Sequence, residues 1–255
     1  MKKTTIHDIL QFKKSGKKFA TITAYDFTTT QIVEQAGIPL ILVGDSASMV
    51  IYGYDTTIPI SIEEMLFVIN AVSRASQSAL VVADMPFLSY QSSVEDAIKN
   101  AGILIKKGGA GAVKLEGGLQ IKNHIKEIVG FGIPVMGHVG LTPQSVHQMS
   151  GYKVQGKTSK GAQKIIDDAK AVEDAGAFSV VLECIPKNLA HEITQMLSIP
   201  TIGIGSGNKC NGQIQVFHDV VGLSKTPPPK HAFKQTDTYS TMFKAVRAYK
   251  SLVEK

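Results

Sequence analysis

Short apolar runs alternate along the chain with longer stretches in which apolar positions return every third or fourth residue. The runs Phe19–Tyr25, Leu40–Gly44, Ala79–Ala83, Ala112–Leu115, Val135–Gly137, Ser179–Leu182, Thr201–Ile204 and Ile214–Phe217 are eight candidate strands. Between them, Ile62, Met65, Leu66, Ile69 and Val72 share one helical face, as do Ile121, Ile125, Ile128 and Val129. Ser61-Ile62-Glu63-Glu64 and Ser92-Ser93-Val94-Glu95 have the capping-box pattern, in which a hydroxyl and a carboxylate satisfy first-turn amides. Helices are predicted to start there. Their ends are marked by Gln35-Ala36-Gly37-Ile38-Pro39, Gly109-Ala110-Gly111, Gly132-Ile133-Pro134, Asp174-Ala175-Gly176 and Ser198-Ile199-Pro200. Glycine accepts the left-handed cap conformation and proline stops the helix, so a strand should follow each junction.

Strands that are apolar on both faces and alternate with helices imply a parallel sheet. Eight of them in a 255-residue chain fit a closed (β/α)8 barrel, with an open doubly wound sheet as the alternative. Residues 1–255 are read as one barrel domain, in which 226–237, with Pro227-Pro228-Pro229, form a linker and 239–253 a C-terminal helix. That helix carries Met242, Phe243, Val246 and Tyr249 and is expected to pack on the barrel or on a neighbouring subunit. The long connection from Leu141 to Ser159 reads either as a lid or as a packed Ω-loop.

Composition narrows the function classes. A chain that is 44% hydrophobic and 19% charged can bury its own core. It has no apolar run of the ~18 residues a membrane span needs, and Met1 to Phe12 lacks the apolar centre of a secretory signal. The expected location is cytoplasmic, without membrane partners. Cys184 and Cys210 show neither CxxC nor Cys/His spacing, so both are read as free thiols. The net charge of +6 comes with basic pairs at Lys2-Lys3, Lys13-Lys14, Lys17-Lys18 and Lys106-Lys107. No nucleic-acid motif accompanies them, so they are read as solvated surface charge.

In a parallel barrel the active site forms where the strands end, so the residue at each end carries the functional information. The predicted strands end at Asp45-Ser46, Asp84, Lys114-Leu115-Glu116, His138 and Glu183. Each has an ordinary reading as a cap for the following helix or as a local ion pair. Five consecutive strands ending in ionisable groups require a compensating cation or anionic ligand. Carboxylates without cysteine partners favour a hard divalent ion such as Mg2+, with Asp45 and Asp84 as direct ligands. Glu116 would reach the ion itself or orient its water. Lys114 suits a substrate carboxylate, and Glu183 is the candidate general base. His138 would bond a substrate oxygen or be satisfied within the core. Gly203-Ile204-Gly205-Ser206-Gly207 would cradle phosphate or form a plain tight turn.

Seven stretches together resemble the ketopantoate hydroxymethyltransferase family. They are Val43-Gly44-Asp45-Ser46, Ala83-Asp84-Met85-Pro86-Phe87, Lys114-Leu115-Glu116-Gly117-Gly118, Gly137 to Ser145, Gly151 to Lys157, Leu182-Glu183-Cys184-Ile185-Pro186 and Gly203 to Gly207. The resemblance implies a TIM barrel of the phosphoenolpyruvate/pyruvate type acting in pantothenate biosynthesis. It implies transfer of a hydroxymethyl group from 5,10-methylenetetrahydrofolate, as co-substrate, to 3-methyl-2-oxobutanoate, giving 2-dehydropantoate. By the family pattern Asp45, Asp84 and Glu116 serve Mg2+, Ser46 and Lys114 the keto acid, and Glu183 takes the proton. The resemblance also implies a homodecamer of two pentameric rings. It weakens over Ala47 to Gly53 and Lys209 to Asn211 and fades after residue 223. Two other readings stay open: another Mg2+-dependent keto acid lyase or mutase of the same barrel group, and a metabolite-binding barrel without catalysis.

Overall fold

Eight strands pair in parallel in chain order and close into a barrel: β1 (Phe19–Thr23), β2 (Leu40–Val43), β3 (Leu80–Asp84), β4 (Ala112–Glu116), β5 (Val135–Gly140), β6 (Ser179–Glu183), β7 (Thr201–Ile204) and β8 (Gly212–Gln215). A computed structural model describes residues 3–149 and 151–255. Met1, Lys2 and Ser150 fall outside them. With them fall part of the stretch read as lacking a secretory signal, the Lys2 of one basic pair, and one residue of the long connection.

Helix α1 (Ile6–Lys14) precedes the barrel, and α2 (Phe27–Gln35), α3 (Ala47–Val50), α4 (Ile62–Ala75), α5 (Val94–Lys106), α6 (Lys122–Gly130), α7 (Ser159–Asp174) and α8 (Lys187–Met196) fill the connections. Helices α9 (Phe217–Val221) and α10 (Thr238–Val253) follow β8. The Ser61/Glu64 capping box starts α4 as its spacing requires. At α5 the cap is one residue later than the serine pair suggested: Ser93, not Ser92, accepts from the Asp96 amide. The last strand also differs from its apolar run, covering Gly212–Gln215 instead of Ile214–Phe217. A Cβ at Gly212 would lie 2.8 Å from the Phe19 ring, so a glycine is what lets the strand begin there. Phe217, the last residue of the expected strand, starts α9.

The chain divides into two compact units, Met1–Ile214 and Gln215–Lys255. The interior of the first is built from alternate strand residues: Phe19, Leu40, Leu42, Leu80, Val82, Ala112, Met136, Val181, Ile202 and Ile214, with Phe178 and the Ile9 of α1. Ile6 and Phe12 of α1 pack against this cluster, and the Phe12 and Phe19 rings stack at 4.8 Å. The intervening strand residues face the helices; at Gly137 an added Cβ would meet Val172 of α7 at 2.3 Å. In the second unit, Gln235 N–H bonds the Val220 carbonyl (2.7 Å) and Tyr239 N–H the Gly222 carbonyl (3.0 Å), which anchors the proline-rich segment. No residue of α10 is buried, and Met242, Phe243, Val246 and Tyr249 are exposed. Among the described residues no helix is long and apolar enough to cross a membrane.

Candidate active site

The period of two that packs the barrel interior also aims the polar residues at its mouth. Val82 leads to Asp84, Ala112 to Lys114 and Glu116, Met136 to His138, and Val181 to Glu183, each two residues further along the same face. Strand register then sets Asp84 beside Lys114 and Glu116 beside His138. Asp45 joins them from the turn after β2, where its N–H donates to Asp84 Oδ2 at 3.0 Å.

These groups form one connected chain. Lys114 Nζ lies 2.5 Å from Asp84 Oδ1, 3.9 Å from Glu116 Oε1 and 3.3 Å from His138 Nδ1. His138 Nδ1 is 3.4 Å from Glu116 Oε1, and its Nε2 is 3.2 Å from Glu183 Oε2. Asp45, Asp84, Lys114, Glu116 and His138 are buried, whereas Glu183 is partly open. Ser46 does not cap α3 with its side chain; its hydroxyl pairs with the buried Tyr25 hydroxyl at 2.7 Å. Asp45, Asp84, Lys114, Glu116, His138 and Glu183 thus come together, while Ser46, next to Asp45 in the chain, turns its hydroxyl to Tyr25.

Burial and mutual repulsion dominate the electrostatics. Loss of solvent, then the Asp84 and Glu116 charges, push the Asp45 carboxyl well above its ordinary pKa. Burial also raises Asp84, against the pull of Lys114. For Lys114 burial opposes protonation, but Asp84, Glu116 and Asp45 outweigh it and raise the pKa. Burial and Lys114 likewise oppose charge on His138, yet Glu116 and Glu183 lift it to about 9. Glu116 is lowered despite its burial, because His138, Lys114 and the Gln144 amide stabilise its charge.

The donor set fits a hard divalent cation. It is all oxygen, and four carboxylates face only Lys114 and His138, so negative charge is in excess. Among the described residues no three acidic, histidine or cysteine groups are arranged to enclose an ion. Mg2+ is commonly held by one or two carboxylates and keeps positions for water and substrate oxygens. Both oxygens of Glu116 are engaged by protein, Oε2 by the Gln144 N–H at 3.0 Å and Oε1 facing Lys114 and His138, and so are those of Asp84, Oδ1 by Lys114 and Oδ2 by the Asp45 N–H.

Three residues of this network have no role in the sequence reading: Tyr25, Tyr90 and Gln144. Gln144 donates to Asp45 Oδ2 at 2.9 Å, and the Tyr90 hydroxyl accepts from the Glu116 N–H at 3.1 Å. Gln144 lies in the Thr142-Pro143-Gln144-Ser145 stretch after β5, which was its only signal. Cys184, next to Glu183, has a left-handed backbone (φ 47°), and burial and Glu183 push its thiol up to about 11. It is therefore a thiol rather than a nucleophilic thiolate at neutral pH. In the glycine-rich turn, Ser206 donates to the Leu182 carbonyl at 2.8 Å and accepts from Ile185 N–H at 3.3 Å. Its hydroxyl ties β6 to β7, as in the tight-turn reading.

Comparison with known proteins agrees with this architecture. A phosphoenolpyruvate phosphomutase from Streptomyces platensis subsp. rosaceus superposes with a TM-score of 0.67 at 11% identity, covering 98% of this chain and 87% of that one. A phosphonopyruvate hydrolase, solved in complex with oxalate and Mg2+, gives 0.65 at 15% identity, covering 86% and 81%. At such identities the likeness shows the fold alone, a TIM barrel. Sequence relatives are much nearer. The 3-methyl-2-oxobutanoate hydroxymethyltransferase of Carboxydothermus hydrogenoformans is 53% identical over 98% of this chain and 90% of its own. That of Geobacter metallireducens is 52% identical over 100% and 95%. The pattern of ketopantoate hydroxymethyltransferases matches residues 3–255, and the chain belongs to that family.

Proposed function

We propose that the protein transfers a hydroxymethyl group from 5,10-methylenetetrahydrofolate to 3-methyl-2-oxobutanoate, yielding 2-dehydropantoate for pantothenate biosynthesis. The observation that carries this reading is the unbroken run of contacts from Asp84 through Lys114 and His138 to Glu183. It joins a pair of carboxylates suited to a cation with a carboxylate suited to proton transfer, across one barrel mouth.

A proton beside a ketone is too weakly acidic for a carboxylate to remove in water. Bound Mg2+ supplies positive charge to the keto oxygen as negative charge builds there. Asp45 and Asp84 would hold that ion, and Glu116 would orient the groups around it. Lys114 and Ser46 receive the keto acid, with Lys114 matching its carboxylate. Glu183 takes the proton from C3, and His138 Nε2, 3.2 Å from its carboxylate, holds it in place until that N–H turns to a substrate oxygen. The enolate carbon then bonds to the one-carbon unit of the folate, the carbon–nitrogen bonds that held that unit break, and water supplies the hydroxyl oxygen. The folate nitrogens take up the proton from Glu183 and one from water, releasing tetrahydrofolate with 2-dehydropantoate. The family's decameric assembly is part of the same proposal, and the exposed apolar residues of α10 are consistent with it.

The test is deuterium exchange at C3 of 3-methyl-2-oxobutanoate, followed by NMR with and without Mg2+, before and after methylenetetrahydrofolate is added. Metal-dependent exchange followed by product supports both halves of the reaction. Exchange without product would keep the enolate site and require another electrophile; folded protein with Mg2+ and no exchange would overturn the assignment. Glu183→Gln is expected to lower turnover ~10²- to 10⁴-fold with Mg2+ affinity nearly intact. Unchanged turnover would remove Glu183 from the mechanism.

A further inference from the structure

Gln144 is buried at 3% exposure, and every polar atom of its carboxamide has a partner. Its Nε2 donates to Asp45 Oδ2 and to the Met85 carbonyl, both at 2.9 Å. Its Oε1 faces the Tyr90 hydroxyl at 3.0 Å and accepts from Gln91 Nε2 at 3.1 Å. A primary amide has two donors and two acceptor lone pairs, so the side chain is fully used. Only this orientation can be satisfied, because the flipped amide would turn its oxygen on a carboxylate and a carbonyl.

The backbone of Gln144 does a second job by donating its N–H to Glu116 Oε2 at 3.0 Å. Tyr90, 1% exposed, closes the ring: its hydroxyl accepts from the Glu116 N–H at 3.1 Å and donates to the Gln144 or Glu116 oxygen. Two carboxylates of the site, Asp45 and Glu116, are thus gripped by one residue from outside the strand ends. Pro143 opens the short turn that carries Gln144, and its fixed φ stiffens the approach. The same connection is pinned to the base: Leu141 N–H bonds the Glu183 carbonyl and Gln155 N–H the Cys184 carbonyl, both at 2.9 Å.

We propose that Gln144 is a positioning residue that fixes the Asp45 and Glu116 carboxylates for a divalent cation, with Tyr90 as its support, and so sets the cation affinity of the site. The amide holds Asp45 by Oδ2 and so fixes the direction in which the carboxylate would meet an ion. The proposal rests on the metal reading above and is tested without turnover.

Mn2+ serves as the probe, its free concentration read by electron paramagnetic resonance during titration of the full-length protein in the absence of substrate. Circular dichroism at the same temperature establishes that each variant is folded. Gln144→Met, similar in volume but without donors, is expected to weaken Mn2+ binding about tenfold to a hundredfold. Tyr90→Phe, which keeps the ring, is expected to weaken it less, by about threefold. A merely structural role would lower the unfolding temperature and leave the affinity of the folded protein unchanged. Folded Gln144→Met binding Mn2+ within about twofold of the unaltered protein overturns the proposal. If that variant does not fold, Tyr90→Phe with unchanged affinity does so instead. Failure of the unaltered protein to bind Mn2+ would be a different result, removing the metal reading itself.

Discussion

The two ends of the barrel treat a carboxylate in opposite ways. Near the start of β3, Glu34 accepts from the hydroxyls of Ser76 and Ser78 and from the amides of Ser78 and Ala79, at 2.7–3.2 Å. Partial burial works against its charge, but these donors hold its pKa down at about 2. Where β3 ends the carboxyls are raised instead, Asp45 by burial and by Asp84 and Glu116, Asp84 by burial and by Glu116. One carboxylate is satisfied by the fold; the others are held at a cost that a bound cation would relieve. Sites that await a ligand are recognised by that imbalance rather than by the presence of charge alone.

The strongest way to break the contrast is to remove the repulsion. Asp45→Asn keeps an oxygen for the Gln144 amide but deletes one of the charges that face Asp84. Cation affinity is expected to fall at least about a hundredfold, more than for a residue acting only through a ligand. Unfolding free energy of the chelator-treated protein should rise by about 0.5–2 kcal/mol. Calorimetric titration and urea denaturation check the two halves. A variant that binds Mg2+ normally, or that is destabilised like a core mutant, would mean that Asp45 is structural.

The sequence made the mouth legible because alternation carries the apolar interior directly into it. Once Val82, Ala112, Met136 and Val181 are inward, so are Asp84, Lys114, His138 and Glu183. The long connection and its Gln144 were not legible in the same way. Gln144 meets Asp45 across 99 positions and Tyr90 across 54, and no local period encodes such contacts. The edges of β8 were missed for a related reason, since Gly212 is chosen by the distant Phe19 ring and carries no apolar signal of its own.

The lower half of the barrel should respond in the reverse sense to the mouth. Leu40 is fully buried among Phe19, Leu80 and Ile202, with no polar group to satisfy. Leu40→Ala is expected to lower unfolding free energy by about 2–5 kcal/mol through lost burial and an unfilled cavity. Turnover per folded molecule should stay within about threefold, because the site lies further along the strands. Loss of Mg2+ affinity comparable to that of Asp45→Asn would show that the two halves are not separable.

Glu34 gives the smallest and most specific effect. Glu34→Gln keeps the shape of the side chain but replaces a charged acceptor that bonds both serine hydroxyls and both amides. At neutral pH the loss is expected to be about 1 kcal/mol, small because the group is partly exposed. Its pKa is lowered on folding, so its contribution is complete above the ordinary value of 4.5 and disappears as pH falls toward about 2. Urea midpoints for both proteins, taken from about pH 6 down to about pH 3, should therefore begin apart and converge below 4.5. A gap that stays constant over that range would mean that shape, not charge, is what Glu34 contributes, and the contrast between the two ends of the barrel would lose its satisfied member.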